Sequence, residues 1–105
     1  MNIDQLKKIS KQSYDANLQK ANALKKVESD QILVYKNHIF RADAETICFV
    51  KIASEGMSSF FMLDSNSNPV EITDPTEFLD LLLQRNQSVI NNYHQLYQNI
   101  KNRKV

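Results

Sequence analysis

Apolar residues recur every three to four positions through the first part of the chain. Ile3, Leu6, Ile9, Ala16, Ala21, Leu24 and Val27 share one side of a wheel turned ~100° per residue, with Tyr14 at its edge. No Gly or Pro interrupts them, so the spacing predicts a helix over residues 1–28. From Gln31 the period shortens. Ile32-Leu33-Val34-Tyr35, Ile39-Phe40, Ile47-Cys48-Phe49-Val50-Lys51-Ile52, Ser59-Phe60-Phe61-Met62-Leu63 and Val70-Glu71-Ile72 are short runs rich in β-branched and aromatic residues. Turn formers separate them: Asn37-His38, Asp43-Ala44-Glu45, Glu55-Gly56-Met57 and Ser65-Asn66-Ser67-Asn68-Pro69. Gly56 is the only glycine and is expected to take a left-handed turn position. The pattern predicts a five-stranded antiparallel meander over residues 31–72.

Several of these runs are apolar on both faces. As a strand, residues 47–52 point Cys48, Val50 and Ile52 one way and Ile47 and Phe49 the other. Phe60 and Met62 likewise oppose Phe61 and Leu63. A sheet that must cover both faces within one small chain is expected to bend strongly and close on itself under a helix. The predicted fold is thus α+β with a mainly β core, in a single domain spanning residues 1–105.

Thr73-Asp74-Pro75-Thr76-Glu77 marks the start of a long helix, with Asp74 as N-cap, Pro75 in the first helical position and Glu77 completing a capping box. The helix is expected over residues 75–103. Leu79, Leu82, Val89, Tyr93, Leu96 and Ile100 follow heptad a/d spacing with Asn86 at an a position, where a buried Asn can specify the register of a coil. At ~1.5 Å per residue such a helix reaches about 42 Å and outruns a domain core of this size. Its far half is expected to lie against the first helix or a neighbouring subunit. Lys101, Arg103 and Lys104 suit the negative end of the helix dipole.

The chain has 105 residues and a net charge of only +1, but the charge is unevenly placed. Residues 1–28 carry +3, residues 29–74 carry −4 and residues 75–105 carry +2. One cysteine excludes an internal disulfide framework and a Cys-rich zinc site. No apolar run approaches a membrane span and the first residues are polar, so a soluble, cytoplasmic protein with no membrane contact is expected.

Catalytic chemistry is sparse. His38 and His94 fall in separate elements, and neither has a Cys, His or carboxylate at metal-ligand spacing. Cys48 in a mid-strand apolar run reads as a packed, inert thiol, and one glycine cannot build a phosphate loop. The acid pairs Asp64 with Asp74 and Asp43 with Glu45 read as turn and cap residues. A non-enzyme without metal or cofactor is expected. The first hairpin, by contrast, gathers Lys36, Asn37, His38 and Arg41 beside Tyr35 and Phe40, cations next to rings of the kind that meet phosphates and bases. Ser65 and Asn66 add hydrogen-bonding groups in the fourth turn. These six polar residues are the candidate nucleic-acid contacts.

The order of elements, one helix and then five strands that want to curl, resembles the Sm/LSm fold. Val34-Tyr35-Lys36-Asn37-His38-Ile39-Phe40-Arg41-Ala42 is similar to the hairpin of the first Sm motif. Phe60-Phe61-Met62-Leu63-Asp64-Ser65-Asn66 with Val70-Glu71-Ile72 is similar in layout to the second. His38 and Ala42 stand near the two glycines of the first motif, and Leu63-Asp64 replaces the Arg-Gly of the second. The resemblance implies a homo-oligomeric ring that binds RNA or single-stranded DNA. The low-glycine, Asn/Lys-rich style also resembles small proteins of marine cyanophages, which would place it in the cytoplasm of a host cell. The residues support a second reading as well: an interaction protein that assembles through its long C-terminal helix and touches no nucleic acid.

Overall fold

The computed structural model of the chain describes residues 2–102. Its elements run α1 (Ile3–Asp30), β1 (Ile32–Tyr35), β2 (His38–Arg41), α2 (Ala44–Gly56), β3 (Phe60–Leu63), β4 (Pro69–Ile72) and α3 (Pro75–Asn102). The molecule is mostly helical, and its strands form two separate two-stranded sheets. The expected mainly β core and five-stranded Sm-like barrel are both overturned.

One segment accounts for the difference. Residues 47–52 are helical, inside a thirteen-residue α2 N-capped by Asp43, whose carboxylate accepts the Thr46 amide at 3.0 Å. Val50 and Ala53 are buried and Ile47 half-buried, a three-residue spacing that belongs to a helix. A single helical stripe thus buries part of this apolar run, so the run's two apolar faces require no barrel. Gly56 ends the helix without a positive φ, contrary to the left-handed turn expected there.

The chain divides into two compact units, each described by itself: a hairpin unit, Asp30–Val89, and a helical unit, Met1–Ser29 with Ile90–Val105. In the hairpin unit β1 and β2 pair antiparallel with Tyr35 opposite His38. The two loop residues are Lys36 and Asn37, at φ 51° and 66°, which is the type I′ geometry that matches strand twist. The turn sits one residue earlier than Asn37-His38. β3 and β4 pair with Phe60 opposite Ile72 and Leu63 opposite Pro69. Phe40, Val50, Ile72, Phe78 and Leu82 are fully buried between the hairpins, α2 and the start of α3. The Phe78 ring lies 4.7 Å from Tyr35 and 4.9 Å from Phe40. Asp74 caps α3 by accepting the Glu77 amide at 3.2 Å.

In the helical unit, Asn2 and Gln5 form a reciprocal capping box at the start of α1. Residues 16–26 of α1 then line grooves with residues 96–101 of α3, and the pairing runs antiparallel. Lys20 lies 5.9 Å above the Tyr97 ring. The apolar stripe of α1 is largely open, with Ala16 and Val27 half-buried. Ala23 is the buried residue of α1, whereas Ile3, Leu6, Ile9, Tyr14 and Leu24 are exposed. The predicted helix end at Arg103, and the cation Lys104, lie outside the described residues.

Candidate functional site

The two hairpins meet at His38 and Asp64. The Asp64 carboxylate is almost fully enclosed, at 1% side-chain exposure, and the His38 Nδ1 lies 2.7 Å from its Oδ2. Its Oδ1 accepts the amides of Asn66 and Asn68, both at 2.9 Å. This Asx geometry folds the β3–β4 turn, with Ser67 in the left-handed region at φ 63°. The Asn68 amide above all, with His38 and the Asn66 amide, holds the Asp64 carboxyl below its usual range and outweighs the opposing effect of burial. Next to it the Ser65 amide donates to the Ile39 carbonyl at 2.8 Å, tying the second hairpin to β2.

The six residues expected to contact nucleic acid are therefore only partly brought together. His38, Ser65 and Asn66 gather at this junction, the last two through backbone amides. Lys36 and Asn37 form the tip of the first hairpin, where the Lys36 Nζ donates to the Thr73 hydroxyl at 2.8 Å and lies 5.4 Å from the Tyr35 ring. Arg41 faces Asp43 at 3.3 Å. At Asp43, burial pushes the carboxyl up, but the Thr46 amide and Arg41 together bring it below its usual range. Tyr35 is displaced upward by burial, with Glu77 and Asp74 adding to the effect. Each basic side chain of the candidate set thus has an internal partner.

Asp64 itself was not singled out as functional by sequence. Its signal is the Asp-Ser-Asn-Ser-Asn run, an Asx-turn former whose carboxylate collects amides two and four residues on. Cys48 is exposed on α2, not packed in a strand as expected. Asn86 does not face a coil seam. Its Nδ2 donates to the Ala42 carbonyl at 2.9 Å, inside the hairpin unit. Among the described residues, no cluster of three or more His, Cys, Asp or Glu could hold a metal, and no helix is long and apolar enough to cross a membrane.

The division into units sharpens the charge pattern. By sequence the helical unit carries nine Lys and Arg against three carboxylates, a net of +6. The hairpin unit carries four against nine, a net of −5. No known protein family, curated protein or solved structure matches this chain.

Proposed function

We propose that this protein is a non-catalytic assembly module that associates with copies of itself through its helical unit. The observation that carries the reading is the exposure of α1. A 28-residue helix buries Ala23 and leaves Ile3, Leu6, Ile9, Tyr14, Leu18 and Leu24 open to solvent. Helices draw most of their stability from packing an apolar face, and propensity alone leaves such a segment marginal in water. The partner within the unit is short. From Ile90 to Asn102, α3 offers thirteen residues, or ~20 Å at ~1.5 Å per residue, against about 42 Å of α1. The half of α1 before Ala16 has no helix beside it among the described residues of the unit.

The hairpin tips support a polyanion site less well, because their cations are engaged internally within a unit of net −5. Sedimentation equilibrium of the full chain at tens of micromolar tests the proposal. A mass of two or more copies is expected, falling to one in the double variant L6E/I9E with helicity retained. A wild-type monomer overturns it. So does tight, salt-dependent binding of oligo-U or oligo-dT by a chain that stays monomeric.

A further inference from the structure

The hairpin unit has an open apolar surface of its own. Along β1 the inward residues are Leu33 and Tyr35, and Ile32 and Val34 point outward. On β3, Phe60 is buried, and Phe61 and Leu63 are 68% and 61% exposed. The Ser65–Ile39 bond places β3 beside β2, and Phe40 and Arg41 share a groove with Met62 and Leu63, so the two strands run antiparallel. Ile32, Val34 and Ile39 are the exposed apolar residues of the first hairpin, and Phe61 and Leu63 are those of the second, which the Ser65–Ile39 bond sets beside it. The inner side of the same strands carries Phe40 and Phe60 into the core.

We infer that the first half of α1 from a second copy of this chain covers this surface, a conclusion that rests on the self-association proposed above. Area and charge support this occupant. Ile3, Leu6, Ile9 and Tyr14 meet five sheet residues, and at on the order of 100 Å² per side chain the contact buries about 400–500 Å² of apolar surface on each side. Made twice in a two-fold exchange, this reaches the ~1,600 Å² of a standard interface. The helix arrives with Lys7, Lys8 and Lys11 from a unit of net +6, and the hairpins belong to a unit of net −5, whose outward face carries Glu71 and also Arg41, the latter paired with Asp43. An exchange of this kind also covers two exposed apolar surfaces at once.

The test uses the full chain with a photo-crosslinking residue at Leu6, in a mixture of isotopically light and heavy copies. Light-to-heavy crosslinks from position 6 to residues 32–41 or 60–71 are expected. F61E/L63E, and separately V34E, should weaken association by on the order of tenfold or more, because each places a charge at an apolar contact. All three positions are exposed, so circular dichroism should stay unchanged. Raising salt from about 0.05 to about 0.5 M should also weaken association. Light-to-heavy links confined to α1, or an oligomer that survives F61E/L63E and V34E but dissolves in L6E/I9E, overturn this inference and leave the assembly reading standing. Links found only within one chain overturn it too. A wild-type monomer overturns both.

Discussion

Replacing Asn86 with Leu separates two roles that the heptad pattern of α3 allows. At the seam of a coil, a buried Asn sets register at a cost in stability, so Leu in its place would strengthen the assembly. In the structure the Asn86 amide instead serves the Ala42 carbonyl, on a residue with no solvent exposure whose own amide donates to Gln31. Removing the donor leaves that carbonyl enclosed and unpaired, which costs about 1–3 kcal/mol. With a urea slope of roughly 1.5 kcal/mol/M for a chain of this size, a loss near the middle of that range lowers the unfolding midpoint by about 1 M. Asn86→Asp controls for shape: a carboxylate fills the same space but cannot donate, and it should lose at least as much. The assay is urea unfolding followed by circular dichroism, with sedimentation run in parallel. A midpoint that rises in the Leu variant, together with a larger or tighter oligomer, would refute the internal role of Asn86.

Four further outcomes follow from the geometry. Phe78→Ala removes the ring between Tyr35 and Phe40 from a fully buried site and should cost about 3–5 kcal/mol, read as a large drop in the urea midpoint. Asp64 is ionised more readily folded than unfolded, so its contribution is present above the ordinary carboxylate range and is lost as pH falls through its lowered value. Asp64→Asn should therefore be the less stable protein at pH 7, with the gap to wild type closing below about pH 4 in a series of urea titrations. Gly56→Ala places a methyl group in open space on a helical residue and should stabilise by up to ~1 kcal/mol; destabilisation would contradict the φ assigned there. Cys48 should react with a thiol reagent in the native protein without denaturant, and protection until unfolding would place it inside after all.

Where the local rules acted alone, the chain was readable. The Asp74-Pro75 start of α3, the uninterrupted α1, the first hairpin and the β3–β4 pair all stand within a few residues of their expected places. These are features decided by caps, breakers and turn-forming side chains, whose effects reach only a few residues. The failure at α2 has a different origin. Ile47-Cys48-Phe49-Val50 is apolar at every position, so neither a two-residue nor a 3.6-residue period stands out, and β-branched content favoured a strand. Length was the better guide. Between Asp43 and Met57 there is no breaker before Gly56, and thirteen residues exceed a usual strand of five or six. The expected barrel follows from reading that one segment as a strand.

The same choice shaped the candidate site. With residues 47–52 drawn as a strand, Cys48 pointed inward and the cations of the first hairpin looked free to meet a phosphate. With the segment helical, Cys48 turns to solvent and Asp43 becomes a cap that also holds Arg41. Asp64 closes on His38 from the other hairpin, a contact 26 residues apart in the chain that no local pattern signals. The exposed large apolar residues concentrate on the first half of α1 and on the outward side of the hairpins. Among described residues no enclosed side-chain nitrogen or oxygen lacks a hydrogen bond. The candidate cations of the hairpin loops are engaged within their own unit, whereas the open side chains of α1 and of the hairpins' outward side are largely apolar, which favours the proposed protein–protein association over a polyanion site.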